Sequence, residues 1–318
     1  MSELRFDGLV AVITGAGRGI GAAYADLLAA RGAKIIVNDM GGSQEGAGQD
    51  QGPARDQVER IRLAGGIAEA DTSDISSEEG ARALIDFAVS TYGGLDIVIN
   101  NAGIHWTDAF PDIEPEQLSR QLAVHVKGSF AVSRAAWPHL RESGRGRVVM
   151  TTSTGSLGAE MYTSYGTAKA AVTGLGRSLA FSGAPDGIKV NIVAPMAMTR
   201  MMNQHTGNPD VPADPDRDPA MVAAMVALLC HPDCPVTGET FIAGMRRYSR
   251  MFIAESVGYT ASSQTVSPEE LLEHWETVND ISQPILLTGT MAQADIGERL
   301  RNAVTVPSET PVESAVKS

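Results

Sequence analysis

A strand, a glycine-rich turn and a helix follow one another directly near the start of the 318-residue chain, and few folds accommodate this order. Leu9 to Ile13 form an apolar run rich in β-branched residues, which is typical of a buried strand. Thr14 to Gly21 follow at once and contain four glycines. Apolar residues then recur at helical spacing, at Ile20, Tyr24, Leu27 and Leu28. The pattern predicts the first unit of an α/β sheet.

Further strand-like runs alternate with helical stretches along most of the chain. They lie near residues 9–13, 34–38, 67–71, 96–100, 147–151, 189–193 and 240–243. This alternation predicts an α/β fold with a doubly wound parallel sheet of about seven strands, a Rossmann-type fold. Right-handed crossovers place ligands of such a sheet at the carboxyl ends of its strands.

The first turn and the end of the second strand together predict a dinucleotide site. Gly15, Gly19 and Gly21 let the backbone approach a pyrophosphate, and the helix N-terminus supplies free N–H groups. Asp39 ends the second strand, where a carboxylate can accept hydrogen bonds from both ribose hydroxyls and repel a 2′-phosphate. This favours NAD over NADP. Arg18 is the opposing signal, because a basic residue there can meet a phosphate.

Tyr165 and Lys169 lie four residues apart and therefore on one face of a helical stretch. A phenol titrates near pH 10 and is a poor base at neutrality. A lysine cation beside it favours the phenolate. We therefore expect Lys169 to lower the pKa of Tyr165 and the pair to transfer protons.

Three patterns occur in one order: the glycine turn of Thr14 to Gly21, Asn100 to Gly103, and Tyr165 to Lys169. Together they resemble the short-chain dehydrogenase/reductase family over about residues 5 to 245. The resemblance implies a nicotinamide cofactor and hydride transfer to or from an alcohol or carbonyl carbon. Val37 to Gly42 and His125 to Phe130 are similar to the (3R)-hydroxyacyl-CoA dehydrogenase part of peroxisomal multifunctional enzyme type two and its bacterial relatives.

The resemblance also implies catalytic roles. Tyr165 would be the general acid/base, and Lys169 would hydrogen-bond the nicotinamide ribose. A hydroxyl should hold the substrate oxygen; Ser153 is preferred and Thr152 remains an alternative. His125 stands where the family usually has an asparagine that supports a proton relay, so its part in that relay stays open.

The family pattern implies a set of cofactor contacts, in which Asp74 would meet the adenine amino group. The set is Gly15, Arg18, Gly19, Ile20, Asp39, Asp74, Ile75, Asn101, Ala102, Gly103, Tyr165, Lys169, Pro195, Met198 and Thr199.

Three interpretations of the function compete. The preferred one is an NAD-dependent enzyme that acts on a bulky secondary alcohol, either a 3-hydroxyacyl-CoA or a hydroxysteroid-like compound. The second is a carbonyl reductase for a small or cyclic ketone. The third, a non-catalytic NAD-binding scaffold, is disfavoured because Tyr165, Lys169 and a neighbouring hydroxyl are all present.

We expect an NAD-binding catalytic domain at residues 1–245 and a partly helical extension at 246–318 with a disordered tail. Residues 196–219 are rich in Met, Asn, Asp and Pro, which indicates a substrate lid. A helix should start at Ser267 and Pro268. The extension could reshape the substrate entrance or cover a neighbouring subunit, and Arg246, Arg247 and Arg250 could meet the phosphates of a CoA.

The composition excludes several partner classes. A formal net charge of −13 argues against nucleic acid and anionic membranes, since phosphate contacts come from Lys and Arg. No run approaches the roughly 18 to 20 apolar residues of a membrane span, and no basic-then-apolar leader opens the chain. Two cysteines indicate a reducing compartment, so we expect a cytoplasmic enzyme.

Two clusters have a structural and a functional interpretation. Cys230, His231 and Cys234 could suggest a metal site, but a structural zinc would lack its four ligands, so no metal is predicted. Ala168, Ala170, Ala171, Gly174 and Gly176 form a small-residue surface on the helix after Tyr165. In the family this helix helps to form a homodimer or homotetramer; the alternative is packing within the monomer.

Overall fold

The computed structural model describes residues 3–43, 45–106, 109–197, 214–289 and 295–298. Two predicted cofactor contacts, Met198 and Thr199, lie outside these residues, as do most of the predicted lid and the end of the C-terminal tail. The chain divides into two compact units, Met1–Met251 and Phe252–Ser318.

Eight strands of the first unit form one sheet: β1 (Val10–Thr14), β2 (Lys34–Asn38), β3 (Ile67–Asp71), β4 (Ile97–Asn100), β5 (Arg147–Thr151), β6 (Lys189–Met196), β7 (Thr240–Gly244) and β8 (Arg247–Met251). Their spatial order is β3-β2-β1-β4-β5-β6-β7-β8. Strands β1 to β7 run parallel, and β8 pairs antiparallel with β7. The predicted doubly wound α/β sheet is confirmed.

Helices connect the strands: α1 (Gly19–Ala30), α2 (Gly52–Leu63), α3 (Glu78–Tyr92), α4 (Pro115–Leu122), α5 (Ser129–Ser143), α6 (Thr163–Gly183) and α7 (Pro219–Cys230). A π-helical turn, Ala123–Gly128, joins α4 to α5. Local signals set the ends of α3: the Ser77 side chain accepts from the Gly80 N–H, and Gly93 follows in the left-handed region at φ 83°.

Strand β1 shows how the sheet divides the core. Val10 and Val12 join a cluster with residues of α3, α5 and α6. Ala11 and Ile13 join the opposite cluster, with α1, α2 and α7. Because helices cover both faces, successive strand residues are all buried and the strands read as continuous apolar runs.

The eighth strand was not predicted. Arg247–Met251 contains no apolar run because β8 is an edge strand with several exposed side chains. The hairpin turn before it uses Met245 and Arg246, both with positive φ (51° and 55°), in place of the glycine or asparagine that normally signals such a turn. The predicted domain end at 245 falls inside this hairpin, and the first unit continues to Met251.

The second unit contains short elements. Strand β9 (Ala254–Glu255) pairs antiparallel with β10 (Ile285–Leu286). The helix expected at Ser267 is present as α8 (Pro268–Glu273), with the Ser267 side chain accepting from the Glu270 N–H, and α9 (Trp275–Val278) follows. None of the described residues of this unit is buried.

Among the described helices of the whole chain, none has the length and apolar character needed to cross a membrane.

A buried threonine hydroxyl joins the turns that follow β1 and β4. Thr14 Oγ1 accepts from the backbone N–H groups of Asn101 and Ala102, each at 3.0 Å. The Asn101 side-chain amide donates in return to the carbonyls of Thr14 and Gly15 at 3.0 and 3.1 Å. These hydrogen bonds hold the two turns together at the carboxyl ends of β1 and β4.

Thr14→Val should destabilise the first unit. Valine keeps the shape of threonine but leaves two buried N–H groups without an acceptor, which costs about 1–3 kcal/mol in the free energy of unfolding. Urea unfolding followed by circular dichroism measures this loss. Thr14→Ser, which keeps the hydroxyl, is the matched control, and equal stability of the two variants would contradict the role of the hydroxyl.

Candidate active site

A cleft of ≈1070 Å³ opens at the carboxyl ends of the parallel strands. Every predicted site residue that the structure describes lines it, except Ser153. These residues are Gly15, Arg18, Gly19, Ile20, Asp39, Asp74, Ile75, Asn101, Ala102, Gly103, His125, Tyr165, Lys169 and Pro195. The order of the strands thus brings together residues that are far apart in the sequence.

The Asp39 carboxylate is fixed at one wall of the cleft by the backbone. Its Oδ2 accepts from the Gly17 N–H at 2.9 Å, and its Oδ1 accepts from the Gly41 N–H at 2.8 Å. A Cβ at Gly17 would lie 2.8 Å from Asp39 Oδ2, so the approach requires glycine. Arg18 does not pair with Asp39 but donates to the Gly41 carbonyl at 3.2 Å.

Asp74 and Asn101 line the cleft and also hold the backbone around it. Asp74 Oδ1 accepts from the Ser76 N–H at 2.9 Å. The amide nitrogen of Asn101 is engaged by the carbonyls of Thr14 and Gly15. Asn101 therefore shapes the turn at the cleft.

Tyr165 and Lys169 are both buried on α6, with 7% and 4% of their surface exposed. The Lys169 Nζ lies 5.7 Å from the centroid of the Tyr165 ring. It donates a hydrogen bond to the Thr151 carbonyl at 2.9 Å. The helix thus places the amine beside the phenol ring and anchors it to the end of β5.

Burial dominates the titration of this pair. It raises the pKa of Tyr165 to about 12, against the opposing effect of a hydrogen bond with Ser153. It lowers the pKa of Lys169 to about 7. The expectation that Lys169 lowers the pKa of Tyr165 is therefore wrong for this site. The loss of hydration on burial is the largest effect on both groups, and it disfavours the charged form of each.

The two candidate hydroxyls after β5 point to different partners. Thr152 Oγ1 donates to the Lys169 carbonyl at 2.7 Å and is 2.9 Å from Thr173 Oγ1. Ser153 instead lies beside Tyr165, where its hydroxyl opposes the rise in the pKa of the phenol, and its Oγ accepts from the Gly155 N–H at 3.0 Å. Ser153 is thus the one of the two that adjoins the phenol.

His125 lies in the π-helical turn, and its ring packs at 81° to the Tyr165 ring with centroids 5.8 Å apart. Its Nε2 is 2.7 Å from the Ile104 carbonyl, while the buried Nδ1 has no hydrogen-bond partner among the described residues. Burial and the neighbouring Lys169 hold its pKa well below the usual range, so the ring is neutral at pH 7. Gly103 gives the ring room, since a Cβ there would lie 2.4 Å from His125 Cε1.

Two rings beside Tyr165 were not predicted. His105 packs edge-on to Tyr165 with centroids 4.5 Å apart, and Tyr162 does so at 5.7 Å. His105 follows the predicted turn after β4 by two residues, and Tyr162 precedes Tyr165 by one helical turn. Their closeness in sequence to the predicted turn and to Tyr165 is the signal from which these two rings could have been predicted.

The other candidate clusters are engaged within the protein. Arg246 pairs with Asp216 at 2.6 Å and Arg250 with Glu239 at 2.6 Å, which leaves less charge for the phosphates of a CoA. Cys230 and Cys234 are buried, and their thiols are free rather than joined in a disulfide. Among the described residues, no group of three or more His, Cys, Asp or Glu could hold a metal ion.

Comparison with known proteins agrees with this geometry. A model of the short chain dehydrogenase family matches residues 9–210. The peroxisomal multifunctional enzyme type 2 of Mus musculus is 37% identical over 284 residues, which cover 88% of this chain and 38% of the mouse enzyme. The chain thus spans well under half of that relative.

Two solved structures are similar over most of their length. A short chain dehydrogenase from Mycobacterium avium is 33% identical with a TM-score of 0.74, covering 86% of this chain and 94% of that one. A 7α-hydroxysteroid dehydrogenase, solved with NADH and 7-oxo glycochenodeoxycholic acid, is 31% identical with a TM-score of 0.66, covering 77% and 98%. The chain therefore belongs to the short-chain dehydrogenase family.

Proposed function

We propose that this oxidoreductase uses NAD to interconvert a bulky secondary alcohol and its ketone, with Tyr165 as general acid/base. The position of the Tyr165 phenol carries the proposal: it is buried, it adjoins Ser153, and it lies in the wall of the cleft that Asp39 also lines. A proton-transfer group and a ribose-binding carboxylate in one cleft are what a nicotinamide-linked alcohol dehydrogenase requires.

The residues of the cleft fit a dinucleotide. A Cβ at Gly21 would lie 2.3 Å from the Gly15 carbonyl, so the turn has no room for a side chain and its backbone can approach a phosphate. Each Asp39 oxygen accepts one backbone N–H and keeps a lone pair for a ribose hydroxyl. These features support NAD binding, and the fixed negative charge of Asp39 supports NAD over NADP.

In the proposed reaction, side chains of this protein transfer the proton of the substrate hydroxyl. When bound, the nicotinamide supplies or accepts the hydride. Tyr165 takes the proton of the alcohol on its Oη in oxidation and returns it to the carbonyl oxygen in reduction. Ser153, which lies beside Tyr165, holds the same substrate oxygen, where charge develops in the transition state.

Lys169 and His125 complete the proposed site on the inner side of Tyr165. The Thr151 carbonyl holds the Lys169 amine in place, from where it would orient the nicotinamide ribose. The neutral His125 ring offers its Nδ1, which has no hydrogen-bond partner among the described residues, as a proton acceptor. It would thus serve the relay in place of the usual asparagine.

The surroundings of Tyr165 support a bulky, largely apolar substrate. Leu157 and Met161, between Ser153 and Tyr165 in the chain, are 71% and 44% exposed. The rings of His105 and Tyr162 add apolar surface beside the phenol. Together with the names of the similar proteins, this supports a 3-hydroxyacyl-CoA or hydroxysteroid-like substrate.

The small residues of α6 have two orientations. Gly176 faces inward, since a Cβ there would lie 2.6 Å from Ile192 Cγ1, whereas Ala170 and Gly174 are exposed. The contact of Gly176 with Ile192 supports packing within the monomer for the inward side of this helix. We propose that the outward half contributes to a homodimer or homotetramer, which a monomeric mass in light scattering would contradict. A cytoplasmic location stays a prediction from composition, open to cell fractionation.

The proton role of Tyr165 predicts a pH profile. Since the pKa of Tyr165 is about 12, the phenol is protonated at neutrality, and alcohol oxidation, which needs the phenolate, should accelerate as the pH rises from 7 to 10. Ketone reduction, which needs the protonated phenol, should not accelerate. Steady-state kcat/KM in both directions tests this, and a fall in oxidation with rising pH would contradict it.

Tyr165→Phe should lower kcat by about 10³-fold or more, because it removes the proton-transfer group but keeps the ring. NADH binding, followed by fluorescence, should persist. Tyr248→Phe is the control, since its hydroxyl is on an exposed side chain that donates to the Met221 carbonyl. Undiminished turnover of Tyr165→Phe with any accepted alcohol would refute the general acid/base role.

Asp39→Asn should shift the cofactor preference. It removes the negative charge and keeps one oxygen for the backbone N–H groups. Two like charges about 4 Å apart repel by about 4 kcal/mol at an effective dielectric constant of 20, so kcat/KM for NADP⁺ relative to NAD⁺ should rise at least about tenfold. Asp86→Asn is the control, an exposed carboxylate on α3 away from the cleft. An unchanged ratio would show that Asp39 does not select the cofactor.

A panel of alcohols tests the substrate class. NADH formation is measured with 3-hydroxyacyl-CoAs, hydroxysteroids and small cyclic alcohols. The exposed apolar residues that precede Tyr165 in the chain predict higher kcat/KM for the two bulky classes. A preference for small cyclic compounds would favour the carbonyl reductase interpretation.

A further inference from the structure

The segment between β2 and α2, described at residues 40–43 and 45–50, forms a loop with its two ends in contact; we call it the strap. The Asp50 N–H donates to the Met40 carbonyl at 2.9 Å and closes the base. The Ser43 N–H donates to the Ala47 carbonyl at 2.8 Å near the tip. Its described residues are half-buried or exposed, so the strap lies outside the core.

The tip of the strap reaches the opposite wall of the cleft. The Gly46 carbonyl accepts a hydrogen bond from Arg120 Nη2 at 3.0 Å. Gly46 also lies against Ile104, since a Cβ there would be 2.9 Å from Ile104 Cγ2. Strap residues and both of these partners line the cleft. The strap therefore spans from the Asp39 wall to the wall formed after β4.

Arg120 is itself held in place. Its guanidinium lies 5.5 Å from the centroid of the Trp106 ring. A cation–π contact of this kind restricts the side chain and favours the conformation that reaches Gly46. A charged donor also gives a stronger hydrogen bond to a carbonyl than a neutral one does.

We propose that the strap closes over the bound cofactor and that Arg120 is its latch, a positioning residue that sets how fast NAD(H) leaves. This rests on the proposed NAD-dependent function. The strap carries glycines at positions 41, 42, 46 and 48, which give it the backbone freedom to open and close. Gly46 has φ +80° and touches Ile104, so the closed position leaves no space for a side chain at the tip.

Arg120→Met tests the latch, because it keeps an apolar chain of similar length and removes the donor. NADH is bound, displaced by excess NAD⁺, and its dissociation rate is followed by stopped-flow fluorescence. We expect dissociation about tenfold faster than in the wild type, with a smaller change in association. Arg134→Met, an exposed arginine of α5 paired with Glu78, is the matched control and should dissociate at the wild-type rate.

Gly46→Ala is the second variant, since its Cβ should push the tip away from Ile104 while leaving Arg120 intact. It should also release NADH faster. A purely structural role of Arg120 would lower the melting temperature without changing NADH release, and that result would overturn the proposal.

Amide hydrogen exchange in the cofactor-free protein separates the latch from the proposed function. Peptides covering residues 41–50 should exchange faster in Arg120→Met than in the wild type and the Arg134→Met control. Failure of the wild type to bind NADH would refute the proposed cofactor, whereas unchanged exchange of the strap would refute the latch itself.

Discussion

The parallel pairing of β1 with β2 on one side and β4 on the other is the constraint on which the site depends. It brings the carboxyl ends of these three strands side by side, where the backbone groups that follow them need hydrogen-bond partners. Thr14 and Asn101 satisfy these groups between β1 and β4, and Asp39 satisfies the N–H of Gly17 beside β2. The sheet order reverses direction between β1 and β4, which is where an open α/β sheet leaves a crevice. The cleft is therefore a direct result of strand order.

Burial shifts the pKa values of Tyr165 and Lys169. The loss of hydration around Lys169 also destabilises the folded state. Lys169 has a pKa of about 7 in the folded protein, below its ordinary value of 10.5. The unfolded chain therefore binds more protons between these values, so this group destabilises the fold most below pH 7 and less as the pH rises toward 10.5. The apolar clusters on both faces of the sheet compensate for such groups. A site of this kind thus requires a large core beneath it.

The strands, the glycine turn and the Tyr165–Lys169 pair could be predicted because each depends on a local pattern of a few residues. Strand β8 could not, since an exposed edge strand has no apolar run and its turn uses Met245 and Arg246. The pKa of Tyr165 could not be predicted either, because it depends on the depth of burial, which spacing along a helix does not report. His105 meets Tyr165 only through packing of the turn after β4 on α6, a contact between residues sixty positions apart.

The two walls of the cleft and the strap between them differ in how they are held. The walls are joined by several partly buried hydrogen bonds around Thr14 and rest on the core. Among the described residues, the strap is joined to the far wall by one exposed hydrogen bond, from Arg120, and by the contact of Gly46 with Ile104. Exposed hydrogen bonds open more readily than buried ones, so fluctuation concentrates in the strap while the proton-transfer groups stay fixed. A closed strap would also exclude water from the cleft and strengthen the electrostatic interactions there. Under the proposed function, the fold would thus separate a rigid part that performs the chemistry from a movable strap that controls access to it.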